Sequence, residues 1–106
     1  MWAVTGLNLN MTEQDYGVQL PVEVRGAEFG PADTIKLVIK EKMNGPSILE
    51  KDFTNLSENI FNLVLTQAES NSLPVGDYVY RLDWYNNGSF MDCLVERSHF
   101  KVVDKA

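Results

Sequence analysis

The chain carries one histidine, His99, and one cysteine, Cys93, and these two residues bound the chemistry it can offer. Nucleophilic hydrolysis needs a nucleophile, a base and an acid that orients the base. His99 is the single candidate base. It immediately precedes Phe100 and falls on the opposite phase of a strand, which predicts a surface imidazole rather than a catalytic one. Structural zinc needs four clustered ligands, and one His with one Cys cannot supply them. Asp33, Asp52, Asp77, Asp83 and Asp92 do not fall into calcium-loop spacing. They read as turn formers and exposed strand residues, with an ion held between loops as the alternative. A carboxylate pair could serve glycoside hydrolysis, but the acids here stand where solvated acids ordinarily stand. The seven glycines are dispersed, so no phosphate-binding loop exists. The expectation is therefore no catalytic, metal or cofactor site, and a protein that is not an enzyme.

Cys93 has no second cysteine with which to form an intrachain disulfide, and it reads as a small buried hydrophobe. A reactive thiol or an intermolecular bridge is the competing reading. Tyr78, Tyr80 and Trp84 share one phase, with Tyr85 on the other and Trp2 elsewhere. Such a stripe could be a sugar-stacking platform, but aromatics at period two more often fill a core.

Fifteen acids against nine bases give a net charge of −6. The bases, from Arg25 to Lys105, are scattered and never adjacent, which argues against nucleic acid and against anionic membranes. No apolar run approaches the ~20 residues of a membrane-spanning helix. Met1 to Asn10 lacks the basic and apolar regions of a secretory signal, so the expected origin is a cytoplasm without signal-peptide secretion.

The elements that must position these residues are strands. With 106 residues, 44% of them hydrophobic, the chain suits one domain over residues 1–106 with a real core. Val18, Leu20, Val22 and Val24 alternate with polar residues, and Pro21 places that strand at an edge or turns position 21 outward. Ile35, Leu37 and Ile39 mark a second strand, Ile48 to Phe53 a weaker one, and Phe61, Leu63 and Leu65 another. Turns fall at Arg25–Asp33 and Lys42–Pro46. Thr66 with Glu69 forms a capping box, predicting a helical turn over Ala68 to Leu73 that Pro74 ends. Tyr78, Tyr80, Leu82 and Trp84 define the strongest strand. Asn86-Asn87-Gly88 is a type I′ hairpin signal, with a return strand from Ser89 to about Glu96 and a last strand around Phe100 and Val102. Ala3 to Met11 adds a strand with Leu7, Leu9 and Met11 in phase and Gly6 as a bulge. Seven or eight short antiparallel strands with regular turns predict an all-β sandwich, and the aromatic-rich strand after a helical turn suggests the immunoglobulin-like kind. The Cys…Trp…Cys framework of antibody domains is absent.

Several stretches carry a resemblance. Asp15-Tyr16-Gly17, Asp33-Thr34-Ile35-Lys36-Leu37-Val38-Ile39-Lys40, Phe61-Asn62-Leu63-Val64-Leu65-Thr66 and Leu73-Pro74-Val75-Gly76-Asp77-Tyr78-Val79-Tyr80-Arg81-Leu82 occur in that order, closed by Phe100-Lys101-Val102. Over residues 7 to 103 the chain resembles small immunoglobulin-like domains of tailed-phage and prophage structural proteins. It is similar to the N-terminal domains of upper baseplate proteins of phages infecting Gram-positive bacteria, which attach receptor-binding modules to the tail. The Leu-Thr…Leu-Pro-x-Gly-x-Tyr signature has a physical basis: Thr66 caps a turn, Leu73 plugs the core, Gly76 permits the turn and Tyr78 begins the buried face. Bacterial adhesion and polysaccharide-associated domains share it. Where relatives have Thr-Leu and then Gly before the last strand, this chain has Cys93-Leu94 and then Glu96-Arg97-Ser98-His99. The resemblance implies a non-enzymatic adaptor or decoration subunit of a virion, made in the host bacterial cytoplasm and carrying no receptor-binding module. Its partners would be other phage structural proteins or itself, with the edge strand near Val18–Val24 available for strand addition. A carbohydrate- or cell-surface-binding sandwich module is the alternative.

Overall fold

The computed structural model describes the chain except residues 1, 6–7, 13–16, 18–19, 25–27, 43–44, 55, 57 and 104–106, and for 2–5, 96 and 97 it describes the backbone alone. Strand makes up 64% of the chain, and the packing of two sheets makes it an all-β, sandwich-like fold. The strands are β1 (Trp2–Thr5), β2 (Asn8–Thr12), β3 (Leu20–Glu23), β4 (Asp33–Lys40), β5 (Ser47–Phe53), β6 (Ile60–Leu63), β7 (Gly76–Asn86) and β8 (Ser89–Val103), with one short helix, α1 (Gln67–Asn71), before β7. A six-stranded sheet has the order β1-β2-β8-β7-β4-β5, and a two-stranded sheet pairs β3 with β6.

The expected period-two faces meet between the sheets. Ile35, Leu37 and Ile39 of β4, Tyr78, Tyr80 and Leu82 of β7, and Phe100 and Val102 of β8 are buried from the large sheet; Phe61 and Leu63 answer from β6. Phe53 and Phe61 carry the contact across the gap, with ring centroids 5.7 Å apart. Leu65 and Leu73 close the core on either side of α1. Thr66 caps α1 as its sequence predicts: Glu69 N–H donates to Thr66 Oγ1, and Thr66 N–H donates to Glu69 Oε1 at 2.8 Å. Because Thr66 is the cap, the helix begins at Gln67 rather than Ala68, and it ends at Asn71, before Pro74.

Three expectations need correction. First, Ala3 to Met11 is two strands: β1 and β2 pair antiparallel with Thr5 opposite Asn8. Leu9 and Met11 are buried as expected. Second, not every pair is antiparallel. β2 runs parallel to β8, with Leu9 opposite Phe100 and Met11 opposite Val102. A short alternating sequence fixes which face is buried but not the direction of its partner. Third, Ser89 to Val103 is one strand instead of two. Its register against β7 slips between Tyr80 and Leu82, between Leu82 and Asp83, and between Trp84 and Tyr85. Extra residues on β8 interrupt the period-two pattern while the backbone pairing continues, so the sequence reads as a break where the chain only bulges. The hairpin joining β7 to β8 is as expected: Asn87 and Gly88 have φ of 50° and 82°, the positive values a type I′ turn demands. Gly6, Leu7, Val18, Gln19 and Asn44, which the sequence placed in strands or turns, lie outside the described residues.

Candidate interaction surface

At one end of the large sheet a single carboxylate ties two connections together. Asp33 opens β4 and is only 5% exposed. Its Oδ2 accepts the Gly30 N–H at 2.6 Å; its Oδ1 accepts Trp84 Nε1–H at 3.0 Å and Asn86 Nδ2–H at 2.8 Å. Asn87 N–H donates to Ala32 O at 2.8 Å, so the β3–β4 connection and the β7–β8 turn are fastened to each other. Hydrogen bonds from Asn86, then Gly30 and Trp84, outweigh the effect of burial and hold the Asp33 carboxyl below the usual range. Phe29 packs edge-on against Trp84, with centroids 5.4 Å apart. All of this carboxylate's visible partners are structural donors. It holds the β3–β4 connection and the β7–β8 turn together.

Asp83 is also buried, at 3% exposure. The expectation that the acids lie on exposed faces and in turns is therefore corrected for Asp33 and Asp83. Asp83 sits on central strand β7, with Lys36 across from it on β4 and Cys93 on β8. Arg81 Nε reaches its Oδ2 at 2.8 Å. Flanking strands and their long side chains cover it, although no second layer lies on that face among the described residues. Asp52, Asp77 and Asp92 are exposed, and no three of His, Cys, Asp or Glu come together among the described residues. His99 is exposed, opposite Val79. Cys93 is half-buried rather than buried, and its Sγ–H donates to Val95 O at 3.4 Å.

The aromatic stripe divides. Tyr78 and Tyr80 are core, and burial pushes the Tyr80 hydroxyl up to about 12. Trp84 is half-buried and committed to Asp33 and Phe29. The side chain of Trp2 lies outside the described residues. The outer face of the large sheet carries a separate aromatic pair, in which Tyr85 is half-buried and Phe90 exposed. Tyr85 pairs in register with Phe90, their rings meeting edge to face at 5.7 Å. Lys36 Nζ stands 5.6 Å from the Tyr85 centroid and 4.0 Å from Glu50. Phe90 is 58% exposed and the adjoining Met91, in the register slip, 54%. A bulge re-aims the residue it carries, which is how two consecutive apolar residues both reach solvent. An exposed aromatic beside a flexible thioether, with Lys36 and Glu50 on the Tyr85 side, has the composition of a protein contact. Sequence reasoning missed it because Phe90 and Met91 read as ordinary strand residues after a hairpin; the signal was two large apolar residues in succession where alternation should place a polar one.

The edge strand singled out in the sequence is less open than expected. Val24 N–H donates to Asn59 O at 2.7 Å, so Leu20, Val22 and Val24 direct their backbone groups at β6. Pro21 and Glu23 therefore face outward, and Pro21 has no N–H to offer an added strand. Compared with family models, curated proteins and solved structures, the chain gives no match.

Proposed function

We propose that this chain is an immunoglobulin-like adaptor that works by protein–protein contact as a tail- or baseplate-associated component of a phage or prophage virion, and that a partner structural protein seats on the Tyr85–Phe90–Met91 patch. The exposed patch is the observation that carries the contact reading: 58% of Phe90 and 54% of Met91 face solvent on a sheet whose other large apolar side chains are mostly covered. Strand order supports the immunoglobulin-like reading. The β8-β7-β4-β5 run beside a β3-β6 pair follows the G-F-C-C′ and B-E order of a variable-type sandwich. Tyr78 supports it too. It stands near the start of β7, shortly after α1, and its hydroxyl donates to Pro74 O at 2.6 Å, the hydrogen bond of a tyrosine corner. The virion reading is supported by the resemblance of residues 7 to 103 to phage structural domains. Fold alone does not assign function; recovery of the chain from purified particles does. Mass spectrometry of density-purified particles from an induced culture is expected to find it in stoichiometric amount.

The exposed Phe90 beside half-buried Tyr85 favours one alternative, a carbohydrate- or cell-surface-binding module that stacks sugar on Phe90. Titration with cell-wall polysaccharide separates the two, since saturable binding abolished by Phe90→Ala belongs to the module alone.

A further inference from the structure

We propose that Asp33 is a positioning residue for the Phe90–Met91 contact surface: from the inner phase of the large sheet, its carboxylate fixes the β8 bulge that turns both apolar side chains to solvent. The inference deepens the contact reading of that patch and rests on it. The bulge lies where β7 and β8 change register. Trp84 stands opposite Asp92 and Tyr85 opposite Phe90, which leaves Met91 as the extra residue on β8. A bulge interrupts the ladder and bends its strand. The direction of Phe90 and Met91 therefore depends on how the segments before and after the slip are held relative to each other.

β8 holds them weakly by itself. β2 pairs with it only from Phe100 onward, so among the described residues the ladder gives Ser89 to Met91 a neighbour on the β7 side alone. Beyond the slip that ladder is two pairs long, Tyr85 with Phe90 and Asn86 with Ser89. An isolated two-stranded hairpin is marginal in water. The β4 ladder ends at the same level, where Asp33 faces Asn86.

Asp33 supplies the further fastening. It is in phase with Ile35 and Leu37, and its Oδ1 accepts Trp84 Nε1–H at 3.0 Å and Asn86 Nδ2–H at 2.8 Å. Trp84 is the last β7 residue before the slip, and Asn86 lies beyond it. One oxygen therefore spans the slip. Oδ2 takes the Gly30 N–H at 2.6 Å, and Asn87 N–H donates to Ala32 O at 2.8 Å, which ties both the carboxylate and the turn to the β3–β4 connection. Asp33 is only 5% exposed, and in such shelter its hydrogen bonds are stronger than they would be in water.

The test is proton NMR of the wild type, Asn86→Ala, Asp33→Ala and Asp33→Asn, read at two ring contacts of equal length. Tyr85 with Phe90 reports the patch, and Phe53 with Phe61 reports the core, each with centroids 5.7 Å apart. Asn86→Ala removes the hydrogen bond beyond the slip at an exposed position and leaves Asp33 in place. Asp33→Asn keeps an oxygen for Trp84 and Asn86, whereas its NH2 cannot accept from Gly30. Expected is loss of the Tyr85–Phe90 cross-peak in Asn86→Ala and Asp33→Ala, its retention in Asp33→Asn, and an unchanged Phe53–Phe61 cross-peak in every folded variant. A Tyr85–Phe90 contact unchanged in Asn86→Ala overturns the proposal. So does a loss in Asp33→Asn equal to that in Asp33→Ala, or a parallel loss of the Phe53–Phe61 contact. The same chains are then quantified in density-purified particles, where Asn86→Ala is expected to fall below wild type and Asp33→Asn to match it. Equal uptake of Asn86→Ala overturns the proposal as well. Absence of the wild type from particles overturns the adaptor reading alone, and the ring contacts then decide the role of Asp33.

Discussion

Lys51 and Glu69 meet at 2.7 Å across the side of the sandwich where β5 and β6 both present free edges among the described residues. Lys51 occupies the inward phase of β5 between Leu49 and Phe53, an unusual place for an ammonium. It is accommodated because its stem lies along Phe53, 5.4 Å from the ring centroid, while its head finds Val64 O and the Glu69 carboxylate. The same Glu69 oxygen accepts the Thr66 N–H, so one atom joins the helix cap to the large sheet.

Lys51→Met is therefore expected to cost about 1–2 kcal/mol, as for a half-shielded charged hydrogen bond. Hydrogen exchange at residues 66–72 should accelerate more than in β4 or β7. Uniform acceleration across the chain would contradict a local fastening.

Acid should act through the same atoms. Burial raises the Glu69 pKa, but the hydrogen bonds and charge of Lys51 and the Thr66 contacts outweigh it, and the net shift is downward. Asp33 is lowered as well. Carboxylates with depressed folded pKa values contribute stability that is complete above their unfolded values and lost as pH falls through the folded ones. Urea midpoints should fall from about pH 4.5 downward, less so in Glu69→Gln. At the other end, the raised Tyr80 pKa means stability is lost as pH rises beyond about 10. Midpoints flat from pH 3 to 6 would contradict the acid half.

Phe61→Ala is expected to cost roughly 3–5 kcal/mol, because a buried phenylalanine removed from a two-stranded sheet leaves a cavity little else can fill. Chemical denaturation reads this directly. A cost below 1 kcal/mol would mean that β3 and β6 do not share the core.

Asp33→Ala removes the acceptor of three donors and should cost roughly 2–4 kcal/mol. Trp84 emission should shift to the red as the indole N–H loses its partner. An unchanged spectrum would remove Asp33 from the role given to it.

Much of this was legible in the sequence. The alternations at Ile35–Ile39 and Tyr78–Leu82, the Thr66 cap and the Asn87-Gly88 turn are local patterns with local causes, and the structure contains them. The parallel pairing of β2 was not legible, because direction depends on where a distant strand lies. Nor were the slips in β8, since each extra residue shifts the phase by one and Cys93 to His99 then resembles a loop. Asp33 and Asp83 were read by residue type as solvated, yet Asp33 is held by Trp84 and Asn86, 51 and 53 positions away, and Asp83 lies between β4 and β8, neighbours that only the fold brings near. The outer patch escaped notice for a related reason: exposure of Phe90 and Met91 follows from a bulge rather than from composition.

The most direct test of the adaptor reading uses that patch. Phe90→Asp, at an exposed position, should leave stability within about 0.5 kcal/mol of wild type. Particles produced with either chain would be purified by density and the chain quantified by mass spectrometry. The account predicts stoichiometric wild-type protein and loss of the folded Phe90→Asp variant from otherwise intact particles. Particles that form without the wild-type chain, or that take up both chains equally, would contradict it.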